Sequence, residues 1–297
     1  MSDRNYFLII LVNYNNLHDT IECIDSLVHA GVEYRHIMVI DNASSYPISG
    51  EIANISAEII VESNTLNLGF SGANNIGLRH ALKNNYKYAI LLNNDTIVED
   101  MAIKTLVRIM DENAEYALGT GLIRFYPDME KIWYAGGKLV SWRGMAVHFD
   151  YNKSEMEKLK DKNLAEIDFI SGCFLCVRTS VLKDLGYLDE DFFLYLEDIE
   201  YSARASKLGF KLLFTKESII YHKCNGERKL KEKTLYYAVR NRKLLIEKCF
   251  PLYSRIYFTI VINLKLLFWI ITNKPLYKSA KKGLKDYKNR QFGEYTV

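Results

Sequence analysis

The sequence is poor in residues that interrupt or cross-link a chain. It has only four prolines in 297 residues and no low-complexity run, which argues against a disordered protein. Its five cysteines are odd in number and irregularly spaced, so they do not suggest a disulfide framework and indicate a reducing compartment. The apolar run after Asn5 is too short for a signal peptide and lacks a small-residue cleavage site. We therefore expect an ordered, cytoplasmic protein.

Two of the cysteines form a CxxC motif, which we interpret as packing rather than as a metal or redox site. Cys173 and Cys176 lie inside the apolar run 169–177, which predicts a buried strand. Positions three apart in a strand point to opposite faces, so the two thiols are not expected to meet at one ion.

Charge is distributed unevenly along the chain. The net charge is only +3, but from Lys223 onward there are 18 Lys and Arg against five Asp and Glu. Residues 1–222 hold 21 basic and 31 acidic side chains, a net charge of −10. The two parts are therefore expected to face different partners, and the basic part suits an anionic surface such as a membrane leaflet or a nucleic acid.

Short apolar runs alternate with amphipathic stretches at the start of the chain. They predict strands at 6–12, 37–40, 58–61 and 88–92, and helices at 18–30 and about 67–84. This alternation predicts an α/β protein with a Rossmann-like, doubly wound and mostly parallel sheet. The carboxyl ends of parallel strands share one edge, so the polar residues Asn13, Tyr14, Asp41 and Asp95 should collect there.

The remainder of the sheet unit is predicted from the same kinds of pattern. Helices are expected at 100–113 and 197–208, and strands at 118–125, 169–177, 211–214 and 218–221. His222 directly follows the last of these strands.

The polar stretch 93–96 ends a buried strand abruptly. In one interpretation Asp95 holds a divalent cation and a diphosphate, because open α/β sheets bind ligands beyond the carboxyl ends of their strands and carboxylate oxygen suits hard cations. In the other interpretation the stretch is only a polar turn followed by a helix cap. These residues alone leave both interpretations open.

Two glycines precede the helix predicted from Asn67. They would let backbone amides approach a diphosphate at the helix start. The stretch 67–75 is neither a GxGxxG fingerprint nor a GxxxxGK[ST] loop, so the sequence supports neither a dinucleotide site nor a P-loop.

An acidic run near residue 190 offers candidate general bases. It contains Asp189, Glu190, Asp191, Glu197 and Asp198, with an aromatic stretch at 192–195 between them. A carboxylate held near an acceptor hydroxyl is what a general base requires. Helix capping is the alternative, and it explains one or two of the five carboxylates better than all of them.

The C-terminal part has a different character, and we divide the chain into a unit at 1–225 and a helical extension at 226–297. A basic helix is expected at 230–249, followed by the apolar run 256–272. At 17 residues the run is marginal for spanning a bilayer. We favour an interfacial helix held by apolar burial and by attraction to anionic lipid. A core helix packed on the sheet unit is the alternative.

Six short motifs occur in an order that resembles a known family. They are residues 12–15 (VNYN), 39–44 (VIDNAS), 67–75 (NLGFSGANN), 91–96 (LLNNDT), 170–174 (ISGCF) and 196–200 (LEDIE). Their order and spacing resemble those of the family 2 inverting glycosyltransferases, with the strongest likeness to the bacterial rhamnosyltransferase and galactofuranosyltransferase branch. The resemblance covers about residues 5–225.

The resemblance implies a GT-A fold and a nucleoside-diphosphate-sugar donor. Tyr14 matches the aromatic residue that stacks on the base, and Asp41 matches the acidic contact to uracil or thymine. The residues that would bind the nucleotide sugar are Tyr14, Asp41, Asn67, Gly69, Asn94, Asp95 and Trp133. Trp133 lies in a stretch that resembles the family's wall of the sugar or acceptor pocket.

The resemblance also implies a metal site and a catalytic base. Asp95 matches the last residue of a DxD motif whose first position is Asn93 here, and His222 matches a metal-binding histidine. The cation would be Mg²⁺ or Mn²⁺. Asp198 matches the general base of the family, next to Glu197.

The sequence therefore predicts an inverting transferase that moves a sugar to a lipid-linked glycan in cell-surface polysaccharide synthesis. dTDP-rhamnose is the first expected donor, ahead of UDP-galactofuranose and UDP-hexoses. The protein would lie on the inner face of the cytoplasmic membrane, and a homodimer is compatible with the sequence. One rival is a catalytically silent glycan- or nucleotide-binding module on the same scaffold. A nucleic-acid-binding protein is the other, and the acidic main unit argues against it.

Overall fold

The computed structural model describes residues 5–224 and 231–295. Within these ranges the strands are β1 Phe7–Asn13, β2 Ile37–Asp41, β3 Ile60–Ser63, β4 Tyr88–Asn93, β5 Thr96–Val98, β6 Tyr116–Tyr126, β7 Ile132–Tyr134, β8 Gly137–Val140, β9 Met145–His148, β10 Leu164–Ile167, β11 Phe174–Arg178 and β12 Lys211–Lys223. The α-helices are α1 Leu17–His29, α2 Ser49–Ile55, α3 Gly69–Lys83, α4 Ala102–Glu112, α5 Leu182–Leu185, α6 Glu197–Lys207, α7 Glu232–Cys249, α8 Leu252–Thr272 and α9 Lys274–Lys288.

One half of the main sheet is parallel, as the sequence predicts. β1 lies between β2 and β4, and β3 pairs with β2, all in parallel register. The residues of β1 from Phe7 to Leu11 are buried, which fits a central strand covered by helices on both faces. In this register Asn13 lies beside Asp41. The predicted collection of polar residues at one edge is therefore present.

The other half of the sheet contains antiparallel strands. β11 pairs antiparallel with both β4 and β6, and β6 pairs parallel with β12. The sequence predicts two strands at 211–214 and 218–221, but the structure has the single strand β12. Its pairing with β6 shifts register between Phe214 and Ile219. The polar residues inside this shift separate two apolar runs, and for this reason the sequence predicts two strands where the structure has one.

The strand predicted at 169–177 is wrong in its first half. β11 begins only at Phe174, and residues 169–173 form a turn around Gly172. The amide of Gly172 donates to Oδ2 of Asp198 at 3.1 Å, so it binds a side chain, and the pairing with β4 resumes only at the carbonyl of Cys173, which accepts from the amide of Asn93 at 3.0 Å. Cys173 thus precedes the strand that holds Cys176. Both cysteines are buried, in keeping with packing.

The three C-terminal helices follow the sheet unit. The basic helix α7 begins at Glu232, and the predicted start at Leu230 lies outside the described residues. α8 buries Phe258, Ile262 and Trp269. Its opposite face carries an exposed row of large apolar residues, which we call the apolar stripe: Ile256, Ile260, Leu264, Leu267, Phe268 and Ile271. One face of α8 is therefore packed against the other C-terminal helices, and the other face is not covered by the described residues.

Candidate active site

A cavity of about 240 Å³ lies at the carboxyl edge of the parallel strands. Of the residues predicted to bind a nucleotide sugar, it is lined by Tyr14, Asn67, Gly69, Asn94 and Asp95. Tyr14 is 43% exposed, and an aromatic ring at this position is suited to stacking on a planar base. Lys233 of α7 also lines this cavity and adds a cation that the motifs did not indicate.

Two asparagines, the buried Asn13 and the half-buried Asn94, fix the shape of this edge. Nδ2 of Asn13 donates to Oγ of Ser44 at 2.9 Å, and Oδ1 of Asn13 accepts from Thr20 at 2.9 Å. Asn94 donates to the same Thr20 hydroxyl at 2.8 Å. Because each amide is already bonded inside the protein, these groups hold the loops after β1 and β4 together.

The carboxylate of Asp41, which is predicted to contact the base, already accepts a hydrogen bond from the protein. Asp41 is buried, and its Oδ1 accepts from the amide of Ser44 at 3.1 Å. The next residue, Asn42, lines the cavity and accepts from the amide of Leu68 at 2.9 Å. The role of Asp41 toward a base stays a prediction.

The expected use of free amides at the start of α3 is not supported. The amide of Gly69 donates to Oδ1 of Asn67 at 2.9 Å, and the amide of Phe70 donates to the carbonyl of Phe193 at 2.6 Å. A Cβ on Gly69 would lie 2.2 Å from that same carbonyl. Gly69 therefore admits a close approach of the 193 loop, and these amides are occupied by the protein.

Asp95 and His222 meet as the sequence predicts. Nε2 of His222 lies 3.2 Å from Oδ1 of Asp95, because β12 pairs with β5 just after the turn that carries Asp95. Burial lowers the pKa of His222, but the contacts with Asp95 and Cys224 outweigh it and raise this pKa to about 9. Oδ1 of Asp95 and Nδ1 of His222 are buried, and beyond the contacts between these two side chains and with Cys224 the described residues offer them no hydrogen bond.

This pair fits a divalent cation by its donor chemistry. A carboxylate oxygen and an imidazole nitrogen together suit Mn²⁺, and carboxylate with water suits Mg²⁺. A second acidic cluster, His18, Asp19 and Glu22, lies on α1. There Nζ of Lys223 forms ion pairs with Asp19 and Glu22, so a cation already neutralises it.

Trp133 contacts the site through the rings of two histidines. Its ring packs edge-on against His222, with centroids 4.8 Å apart, and against His148 at 5.0 Å. It therefore helps to orient the imidazole beside Asp95. Its predicted contact with the nucleotide sugar stays a prediction.

A second cavity of about 520 Å³ is lined by Glu197 and Asp198 at the start of α6. Asp198 accepts hydrogen bonds from the amides of Gly172 at 3.1 Å and Ile199 at 2.8 Å. Burial raises the pKa of Asp198 to about 6, against the opposing effect of these amides. Burial, and then the neighbouring Asp198, raise the pKa of Glu197 well above its usual range. Asp198 is thus the carboxyl of the pair that ionises near neutral pH.

The other carboxylates of the acidic run serve the fold. Oδ1 of Asp189 accepts from the amide of Asp191 at 3.2 Å and caps a short 3₁₀ turn. Glu190 accepts from Asn75 at 2.9 Å, and Lys248 forms ion pairs with both aspartates. The structure therefore divides the five carboxylates into three structural groups and two that line a cavity.

Gly172 lies close to residues of both cavities. A Cβ built on Gly172 would lie 3.0 Å from Phe70, which lines the smaller cavity, and 3.6 Å from Asp198, which lines the larger one. Burial raises the pKa of the Cys173 thiol well above its usual range, and the carboxylates of Asp95 and Asp198 raise it further. Both carboxylates therefore approach the turn at 169–173.

The backbone before Asp198 is strained and is held by α7. Phe193, Tyr195 and Leu196 have φ values of 59°, 71° and 72°, each costing about 1 kcal/mol or more for a residue with a side chain. Nδ2 of the fully buried Asn241 lies 2.7–2.8 Å from the carbonyls of Phe192, Leu194 and Tyr195.

Arg240 supports the same loop from the preceding position. It is fully buried and donates to the carbonyl of Phe192 at 2.9 Å, while Tyr236 and Tyr237 face its guanidinium. The motifs did not reveal these residues, because one asparagine among basic residues carries no spacing that points to a distant loop.

Comparison with known proteins identifies the family of this chain. The model of the family described as Glycosyl transferase family 2 matches residues 8–186, more than half of the chain. A low-salt glycan biosynthesis hexosyltransferase of Haloferax volcanii is 28% identical to this chain. The aligned part covers 67% of this chain and 61% of that protein. A rhamnosyltransferase of Escherichia coli is 26% identical over 69% of this chain and 78% of its own length.

Solved structures show the same fold at low identity. GalNAc-T7 with UDP, GalNAc and Mn²⁺ superposes with a TM-score of 0.66 at 16% identity, covering 97% of this chain and 57% of its own. A mannosyltransferase from Pyrobaculum calidifontis with GDP-Man and Mn²⁺ has a TM-score of 0.57 at 12% identity, covering 97% and 76%. The predicted GT-A fold is confirmed by these structures.

Proposed function

This chain belongs to glycosyl transferase family 2, and from that premise we propose that it is an inverting hexosyltransferase. Its donor is a pyrimidine nucleoside-diphosphate sugar, with dTDP-rhamnose first. One observation carries the proposal: a cavity lined by an exposed aromatic ring and by Asp95, whose partner is His222, lies near a second cavity lined by an ionisable carboxylate. The rhamnosyltransferase among the relatives supports the choice of sugar.

In this proposal the smaller cavity binds the donor. Tyr14 stacks on the base, and Lys233 lies where it attracts the negative charge of the diphosphate. Asp95 and His222 would hold Mg²⁺ or Mn²⁺, which when bound neutralises the charge that develops on the leaving diphosphate. Two of the solved relatives contain Mn²⁺ with a nucleotide or a nucleotide sugar, which supports the metal.

Asp198 acts as the general base in the larger cavity. Its carboxylate accepts the proton of the acceptor hydroxyl as the hydroxyl oxygen attacks the anomeric carbon on the face opposite the diphosphate. The two amide donors fix the carboxylate in place. A single displacement of this kind inverts the anomeric configuration.

The acceptor in this proposal is a lipid-linked glycan at the inner face of the cytoplasmic membrane. α8 is 21 residues long and is the one described helix apolar enough to cross a membrane, and only 17% of its most apolar window is buried. Its apolar stripe and the excess of basic residues around it suit the surface of an anionic leaflet. We propose a peripheral contact through this stripe.

A panel of nucleotide sugars with and without Mn²⁺ tests the proposed function. We expect one of dTDP-rhamnose, UDP-galactofuranose or a UDP-hexose to raise the melting temperature, because a ligand that binds only the folded state stabilises it. The shift should require cation and should disappear in Asp95→Ala. Binding without turnover on any acceptor would favour a silent module instead. Equal donor affinity with and without cation would refute the metal site.

A further inference from the structure

Two arginines in the cavity of Asp198 lack a carboxylate partner. Arg242 of α7 and Arg143 both line this cavity. Nη2 of Arg242 donates to the carbonyl of Arg143 at 2.7 Å, so the guanidinium of Arg242 lies against the backbone of Arg143. Neither guanidinium forms an ion pair with any described residue, whereas Arg204 and Arg290 each bind a glutamate.

The arginine pair has aromatic contacts but no salt bridge among the described residues: the guanidinium of Arg242 lies 4.7 Å from the ring centre of Phe258, and that of Arg143 lies 5.8 Å from the ring centre of Trp142. Nε of Arg242 is buried and has no hydrogen-bond partner among the described residues. Burial lowers the pKa of Arg242 to about 10, Tyr257 opposes this effect, and the Arg143 guanidinium adds to it. A partly buried cation beside a like charge costs free energy unless an anion compensates it. Guanidinium groups bind phosphate with paired hydrogen bonds.

The segment that carries Arg143 lies directly on α8. The hydroxyl of Ser254 donates to the carbonyl of Ser141, and the rings of Trp142 and Tyr257 pack edge-on with centroids 5.0 Å apart. The cavity with the arginines therefore borders the helix that carries the apolar stripe. A ligand that spans both must join an anionic group to a hydrocarbon chain.

We propose that Arg143 and Arg242 form a subsite for the phosphate of an amphiphilic acceptor. The hydrocarbon chain of this acceptor lies toward the apolar stripe, and its sugar hydroxyl faces Asp198. The proposal rests on the proposed transferase function and adds to it the residues that recognise the acceptor and the chemical class of their ligand, a phosphate ester of a long-chain alcohol.

Direct binding measurements with the full chain test the subsite without any donor. The probes are farnesyl diphosphate, farnesol and inorganic pyrophosphate, titrated by calorimetry. We expect Arg242→Gln and Arg143→Gln to weaken farnesyl diphosphate binding on the order of 10- to 100-fold, the usual effect of losing a charged hydrogen bond. Farnesol and pyrophosphate should each bind more weakly than farnesyl diphosphate. Lys265→Gln, which removes an exposed positive charge on α8, is the matched control and should bind as the wild type does.

Three outcomes would overturn the subsite. The first is unchanged binding in Arg143→Gln, whose exposed side chain can be replaced without threatening the fold. The second is loss of binding in Asp95→Ala but not in Arg242→Gln, because the diphosphate would then occupy the smaller cavity. The third is a loss of affinity in Arg242→Gln for phosphatidylglycerol vesicles alone, which would assign the arginines to the membrane surface.

The subsite and the proposed function fail in different ways. If no nucleotide sugar supports transfer but the arginine variants bind farnesyl diphosphate more weakly than the wild type, the proposed function fails and the subsite stands. If transfer proceeds and the arginine variants keep the wild-type KM for acceptor, the subsite fails and the function stands.

Discussion

The sheet unit and the C-terminal helices contribute opposite charges to one site. The sheet unit carries a net charge of −10 and supplies the carboxylates of Asp95 and Asp198, whereas the chain from Lys223 onward carries +13. Helix α7 places Lys233 in the smaller cavity and Arg242 in the larger one. Neither region therefore holds a complete site. The carboxylates suit a metal and a proton, and the cations suit phosphates.

The two regions also differ in how they are stabilised. The sheet unit has a continuous buried core around its central strands. The C-terminal helices form a smaller apolar cluster that includes Phe258, Ile262 and Trp269, while one face of α8 is left exposed. The first region therefore buries its apolar residues, whereas the second leaves a row of them exposed, which is the kind of surface that binds a partner or a membrane.

The largest effect is expected when the carboxylate of Asp198 is removed. Asp198→Asn keeps the shape of the side chain but cannot accept the proton, so turnover should fall by about 10²- to 10⁴-fold while donor affinity is kept. Steady-state kinetics and donor calorimetry measure the two quantities. Asp189→Asn changes a capping carboxylate of the same run and should lose far less turnover. Unchanged turnover in Asp198→Asn would end the assignment of the base.

The next effect is expected where α7 holds the strained loop. Asn241→Ala leaves buried carbonyls without a donor and should lower the free energy of unfolding by about 1–3 kcal/mol. Turnover should fall as well, because the same loop leads into Asp198. Urea unfolding and kinetics are the measurements, with the exposed Asn263→Ala as control. A variant with wild-type stability would show that the sheet unit positions its base without the helices.

A smaller effect is expected on membrane binding. Changing Leu264 and Phe268 together to Glu adds two negative charges to the apolar stripe and should weaken binding to phosphatidylglycerol vesicles by about tenfold or more, because each large apolar side chain contributes about 1.5–3 kcal/mol when fully buried. Asn263→Glu with Thr272→Glu adds the same charge outside the stripe. Equal vesicle binding by the two double variants would mean that charge alone, and not the stripe, attracts the membrane.

The smallest effect is expected from pH. The pKa of Asp198 is raised by burial to about 6, and only the ionised form accepts a proton. The value of kcat/KM should therefore be level above this pH and fall about tenfold for each pH unit below it. The residual activity of Asp198→Asn should lack this acidic limb. An identical limb in the variant would assign the titration to another group.

Much of the sheet unit could be predicted because its signals are local. Apolar runs such as that of β1 indicate buried strands. Because these strands are parallel, the polar residues that end them lie at one edge of the sheet, namely Asn13, Asp41 and Asp95. The pairing of Asp95 with His222 needed the family resemblance, since 127 positions separate them in the chain.

The support for Asp198 could not be predicted, because it depends on long-range contacts. Asn241 bonds to carbonyls 46 to 49 positions away, and no periodicity encodes such a pairing. Free amides at the start of α3 were also expected. In the structure the amide of Phe70 donates to the carbonyl of Phe193. This partner depends on the strained loop and not on the glycines.

The anomeric configuration of the product tests the central claim most directly. Proton NMR of the disaccharide linkage made by the wild-type protein from an α- or β-linked nucleotide sugar gives this configuration in one spectrum. The account predicts the opposite configuration to that of the donor, because Asp198 activates the hydroxyl for a single displacement. A product that retains the configuration of the donor would contradict it.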